Sequence, residues 1–149
     1  MNIRPFEVGD SDAVIALWRA CHLIAPQNDP LKDINRKLSV DPDLFLVGVL
    51  EYGKGMEQKE GDAVVATVMG GYDGHRGWVN YLAVSPSMRR RGYGRIMMEK
   101  IEVLLRARGC PKINLQIRET NQAVIDFYNA LGFATDKVIS MGKRLERDH

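Results

Sequence analysis

Trp78-Val79-Asn80-Tyr81-Leu82-Ala83-Val84 runs through Ser85-Pro86-Ser87-Met88 into Arg89-Arg90-Arg91-Gly92-Tyr93-Gly94, and the fold turns on this join. Residues 78–84 are an apolar run of strand type, and apolar residues recur at helical spacing over 95–108. A strand, a basic glycine-containing turn and a helix therefore meet at one point. Backbone N–H groups at a helix start lack intrahelical partners, and the helix dipole adds positive potential there. Glycines let such a backbone approach an anion closely, and the arginines add fixed charge. The residues alone read as a diphosphate cradle.

Two familiar phosphate loops fail against it. G-x-x-x-x-G-K-S/T is absent, and the third glycine of G-x-G-x-x-G is replaced by Met97. What remains is R-x-x-G-x-G, from Arg89 to Gly94.

On either side of that join, the pattern predicts a strand at 3–6 and a helix at 11–22, capped by Ser11 and carrying Val14, Leu17, Trp18 and Cys21 on its apolar stripe. After a loop at 23–28, Asp29-Pro30 predicts a helix start, with Leu31, Ile34 and Leu38 facing the core. The apolar run 44–50 predicts a buried strand, 51–62 a polar hairpin loop, 63–69 the return strand and 70–77 a glycine-dense turn. The long helix is expected to bury Ile96, Met97, Ile101, Leu104 and Leu105 and to stop at Gly109 and Pro111. A strand at 113–117, a short helix at 123–130 capped by Asn121 and a last strand at 138–145 complete the chain. The order β-α-α-β-β-β-α-β-α-β predicts one α/β domain over 1–149. Its mixed sheet is an antiparallel meander closed by one right-handed βαβ crossover.

Composition narrows the function. At 149 residues and 45% apolar, the chain can bury a real core. A net charge of +2 with one local basic cluster argues against a nucleic-acid partner, which would ask for a longer basic footprint and interleaved aromatics. No apolar run reaches membrane-spanning length, and residues 1–5 hold no signal-peptide core, so no membrane partner is expected. Cys21 and Cys110 form no metal-spaced pair, so no metal site is expected, and a reducing cytoplasm is the expected compartment.

A second motif is Asn121-Gln122-Ala123-Val124-Ile125-Asp126-Phe127-Tyr128-Asn129-Ala130-Leu131-Gly132-Phe133. It follows the pattern N-x-x-A-x-x-x-Y-x-x-x-G-F, with Val124 standing at the alanine position. The two motifs and their order resemble the signature of the GCN5-related N-acetyltransferases (GNAT), covering roughly 78–133. The loop at 70–77 and the turn at 109–113 look most like those of the small bacterial YpeA-like acetyltransferases.

The resemblance implies the GNAT fold and acetyl-CoA as cosubstrate. It implies that Leu82, Ala83 and Val84 offer strand backbone to the pantetheine arm, in a gap between that strand and 113–117. Arg90, Arg91, Gly92, Tyr93, Gly94 and Arg95 would cradle the pyrophosphate. Asn121 would hydrogen-bond the pantetheine, and it also reads as a plain helix cap. Tyr128 would protonate the departing thiolate, and it also has a plain core reading. An unperturbed phenol titrates near pH 10, which suits an acid.

The implied reaction is direct attack of a primary amine on the thioester carbonyl, polarised by a backbone N–H from 82–84. Gln116 stands where the ribosomal-protein alanine acetyltransferases carry a glutamate base. The base therefore stays open among Glu119, Asp73, His75, Tyr81 and a water chain. The loops 23–29 and 70–77 are expected to form the acceptor site, with Asn28, Asp29, Tyr72 and Asp73 as contacts. The acceptor is a small molecule or a protein amine, and a homodimer would complete an open acceptor side. The alternative function is a non-catalytic acetyl-CoA sensor, which has no use for Tyr128 as an acid.

Overall fold

The computed structural model describes residues 1–51 and 62–149, so the hairpin loop expected at 51–62 lies, apart from its two ends, outside the described residues. Its elements in chain order are β1 (Asn2–Pro5), α1 (Ser11–Ala20), α2 (Pro30–Leu38), β2 (Phe45–Glu51), β3 (Asp62–Tyr72), β4 (Gly77–Val84), α3 (Tyr93–Ala107), β5 (Ile113–Asn114) and α4 (Gln122–Ala130). The sheet order is β1-β2-β3-β4-β5. The first three pairings are antiparallel, and β4 pairs β5 in parallel across the α3 crossover. The α/β mixed sheet read from the sequence is therefore present.

Each face of the sheet has its own core. Phe45, Val47 and Val49 of β2 pack with Val14, Leu17, Trp18 and Ile34 from α1 and α2. Leu46 points the other way, with Ala66 and Val68, onto Met97, Met98, Ile101 and Leu105 of α3. Side chains alternate along a strand, so burying both faces makes the strand apolar throughout. That is why β2 reads as an unbroken run.

Local signals place several ends. The Asp29 carboxylate accepts from the N–H groups of Leu31 and Lys32, at 2.9 and 3.4 Å, and Pro30 opens α2 where its missing N–H costs nothing. Asn121 caps α4 through Val124 N–H at 3.4 Å. At α1 the cap position falls to Asp10, and the Ser11 hydroxyl donates back to Val8 O instead.

Five expectations need correction. The strand expected at 113–117 is only Ile113–Asn114, because its pairing with β4 ends at Trp78–Asn114. Leu31 is exposed, because α2 turns only Ile34 fully inward. On α3 it is Met98, not Ile96, that is buried, and Leu104 is half-buried. Gly70, Gly71 and Tyr72 belong to β3, so the turn is shorter than its glycines suggest. The strand expected at 138–145 is absent: Val138, Ile139, Met141 and Leu145 are 75%, 89%, 91% and 92% exposed. A strand needs a ladder partner, and β5 forms only the two pairs Gly77–Ile113 and Trp78–Asn114. Gly142, Lys143 and Arg144 also interrupt the apolar alternation. The segment is held by polar anchors instead: Asp136 pairs with Lys112 at 3.0 Å, and Ser140 accepts from Gln116.

The segment's far end was invisible in the sequence. The buried Asp148 carboxylate accepts from Asp29 N–H and from Arg36, both at 2.7 Å, tying the chain to the start of α2.

Candidate functional site

The site begins where β4 and β5 part. Beyond Trp78–Asn114 no ladder joins them, so one edge of β4 lies open toward Val84. Ser85 N–H donates to Val65 O at 2.8 Å, and Ala66 faces Val84. Hydrogen bonding alternates along an antiparallel pair, so the Val84 N–H and C=O turn away from β3 to that open edge. The Cys21 thiol donates to this carbonyl at 3.3 Å.

A bulge interrupts β4 just before. The β3–β4 register shifts between Thr67 and Met69, and Tyr81 adopts φ +51°. Val79 and Ala83 lie four positions apart, so an unbroken strand would put them on one face. They lie on opposite faces, Val79 toward α3 and Ala83 toward α1, because the bulge supplies one extra residue.

After β4 a 3₁₀ turn, Pro86–Met88, leads through the arginines to α3. Gly92 is the residue before the helix, at φ +78°, a conformation glycine adopts without strain. No side chain among the described residues caps this end, so the N–H groups of Tyr93, Gly94 and Arg95 point out without an intrahelical partner. Arg89, Arg90, Arg91 and Arg95 are not buried, and their side chains make no ion pair or hydrogen bond among the described residues. A helix start with such amides and guanidinium groups can hold an anion, and these residues fit a pyrophosphate. Gly94 has a further reason that sequence reading missed: a Cβ there would meet Phe127 Cζ at 3.2 Å and Val84 Cγ2 at 3.7 Å. It lets α3, α4 and β4 converge.

Tyr128 lies buried on α4, with Phe127 and Phe133 edge-on at centroid distances of 5.0 and 5.4 Å. Its hydroxyl has no hydrogen-bond partner among the described residues. Burial pushes the phenol up to about 12, so it stays protonated through the neutral range. Tyr128 also lines a broad cavity of about 1290 Å³ with Trp78, Leu115, Phe133 and Ile139. It alone of the cosubstrate residues expected from the sequence does so.

Several base and acceptor candidates are otherwise engaged. The Asp73 carboxylate accepts from the N–H groups of Arg76 and His75, both at 2.7 Å, which holds it below the usual carboxylate range. Tyr81 donates to Asp33 at 2.6 Å, and burial, with that carboxylate, holds its phenol well above the ordinary range. Neither suits a base at neutral pH. Asn28 accepts from Arg144 at 2.6 Å, and Tyr72 donates to Gly74 O at 3.2 Å. No hydrogen bond or ion pair among the described residues joins the loops 23–29 and 73–76.

The profile of the Acetyltransferase (GNAT) family matches residues 12–133. The chain belongs to the GNAT acetyltransferase family. An acetyltransferase of Pectobacterium atrosepticum is 49% identical over 148 residues, covering 99% of this chain and 98% of that one. One of Yersinia enterocolitica is 47% identical over 145 residues, covering 97% and 96%. Among solved structures, the NatC complex bound to Gag peptide and CoA matches with a TM-score of 0.73 at 17% identity, over 91% of this chain and 86% of that one. At that identity the likeness shows the GNAT fold. Among the described residues, no helix of this GNAT protein is long and apolar enough to cross a membrane.

Proposed function

We propose that this GNAT acetyltransferase, as one domain over 1–149, moves the acetyl group of acetyl-CoA onto a primary amine by direct attack. The observation that carries this is the start of α3, uncapped by any described side chain, beside Arg90, Arg91 and Arg95, whose side chains have no partner among the described residues, at the end of a strand with an open edge. The amides of Tyr93, Gly94 and Arg95 and the guanidinium groups hold the pyrophosphate. The backbone of Leu82, Ala83 and Val84 receives the pantetheine arm, and the Asn121 side-chain N–H group adds a hydrogen bond while its oxygen caps α4. Acetyl-CoA supplies the activated acetyl thioester. The Leu82 N–H polarises the carbonyl, and the Tyr128 hydroxyl gives its proton to the leaving sulfur. The solved NatC complex, with its CoA and peptide, supports a CoA thioester as donor and is compatible with a peptide-borne amine as acceptor.

Asp73 and Tyr81 are engaged elsewhere, which leaves Glu119, His75 or a water chain to take the acceptor's proton. Within the family we place the protein beside the small YpeA-like enzymes. A cytoplasmic setting agrees with two free cysteines, and a homodimer would cover the exposed apolar residues of 138–145. Calorimetry with acetyl-CoA, followed by thiol release across a panel of amines, tests the reading. Binding with turnover of one amine class is expected; an absence of acetyl-CoA binding refutes it.

A further inference from the structure

Thr67 is an unexpected residue for the middle of a sealed strand. It is 0% exposed, as is Trp18 beside it. A hydroxyl buried in an apolar core is costly unless paired, and this one is paired on both sides. It accepts from Trp18 Nε1–H at 2.9 Å and stands 2.8 Å from the Tyr81 carbonyl. An indole nitrogen only donates. The one hydroxyl proton is therefore committed to the Tyr81 carbonyl, and the chain runs in one direction, from Trp18 through Thr67 to Tyr81.

That carbonyl belongs to the bulge. The register shift deprives this part of β4 of its regular ladder with β3, and the Thr67 hydroxyl takes the place of the missing backbone donor. Tyr81 itself sits at φ +51°, a strained conformation for a bulky residue that persists only where its surroundings impose it. Here Trp18 stacks on the Tyr81 ring at 3.8 Å between centroids, and Asp33 accepts from its hydroxyl.

The Tyr81 C=O and the Leu82 N–H are the two ends of one peptide unit. No peptide bond among the described residues is cis, so in this planar unit the N–H points opposite to the C=O. Fixing the carbonyl toward Thr67 on β3 aims the Leu82 N–H away from β3, toward the open edge of β4. A hydrogen bond to the carbonyl also polarises the peptide and strengthens its N–H as a donor.

We propose that Thr67, oriented by Trp18, is a positioning residue that aims the Leu82 N–H at the acetyl carbonyl. This rests on the acetyl-transfer reading above. The test compares Thr67→Val, which keeps shape and removes the hydroxyl, with Thr67→Ser, which restores it. Losing an oxyanion donor outright costs about 100- to 1000-fold in turnover. Misaiming one is expected to lower kcat by about 10- to 100-fold in Thr67→Val. Acetyl-CoA affinity by calorimetry should stay within about threefold, and Thr67→Ser should recover most of the rate. In amide spectra of the wild type, the Leu82 N–H should move downfield with acetyl-CoA and not with CoA, and Thr67→Val should lose that shift.

Unchanged kcat in a folded Thr67→Val, a loss that Thr67→Ser does not recover, or a parallel loss of acetyl-CoA affinity overturns the proposal. Should Thr67→Val fail to fold, the wild-type Leu82 shift decides, because its absence overturns the proposal equally. Failure of wild-type protein to bind acetyl-CoA at all would instead remove the underlying reading, and the proposal with it.

Discussion

Replacing Tyr128 by Phe removes one oxygen and little else. The edge-on contacts to Phe127 and Phe133 at 5.0 and 5.4 Å belong to the ring, and Phe keeps them. The hydroxyl has no partner among the described residues, so its loss orphans nothing, and stability should change by less than about 1 kcal/mol. Turnover should fall much further. A positioned general acid contributes about 100- to 10,000-fold. At about 1.36 kcal/mol per tenfold, that is roughly 2.7–5.4 kcal/mol of activation free energy. The phenol is held up to about 12 by burial, so the pH profile of kcat should show no alkaline limb from Tyr128 below that value. The same shift has a sign for stability. A raised pKa means that the folded protein favours the protonated phenol. Below the ordinary value of 10.0 both states are protonated; above it the unfolded chain alone ionises, so burial of the phenol destabilises the fold progressively until about 12. Tyr128→Phe should flatten this part of the stability curve. Thiol release gives kcat, calorimetry gives acetyl-CoA affinity, and thermal melting gives stability. Turnover within twofold of wild type, or acetyl-CoA affinity lowered tenfold or more, would refute the acid role and leave Tyr128 a packing or binding residue.

Gly92→Glu forces a side chain into φ +78° and sets a carboxylate among the guanidinium groups of Arg90, Arg91 and Arg95. Acetyl-CoA affinity measured by calorimetry should fall about 100-fold or more, and retained affinity would sink the pyrophosphate cradle. Asp148 is held down to about 2, first by the Arg36 hydrogen bond, so its stabilisation is present above the ordinary value of 3.8 and is lost as pH falls toward about 2. Asp148→Asn should lower the melting temperature at pH 7, with the gap to wild type closing on acidification; a gap independent of pH contradicts this. Gly70→Ala puts a Cβ 2.7 and 2.8 Å from Ile101 Cγ1 and Cδ1, so it should cost about 1–3 kcal/mol by overpacking. Adding Ile101→Val removes Cδ1 and should return part of that loss in a denaturant titration; strictly additive losses would show that the clash is not the cause.

Much of the fold was legible because its signals are local. Pro30 and Asp29 announce α2 within two residues, and the unbroken run of β2 records burial on both faces. The 138–145 segment misled because apolar residues resemble a strand whether or not a partner edge exists, and pairing is not a property of the segment alone. Asp148 could not be found in advance. Its partners Asp29 and Arg36 lie 119 and 112 residues away, and an acidic residue near Arg144 reads as solvated surface.

The element order as far as α4, the basic glycine turn that opens α3 and the tyrosine of α4 were written in the chain's local pattern. Each depends on periodicity, capping or backbone freedom within a few residues. The bulge at Tyr81, the reach of Thr67 to its carbonyl and the direction of the Leu82 N–H emerge only from the closed fold. Nothing next to Tyr81 asks for a left-handed backbone. Trp18 packs on its ring, while Thr67 and Asp33, 14 and 48 residues away, bind its carbonyl and its hydroxyl. Such a conformation is paid for by contacts that exist only once the sheet and both of its helical layers have closed.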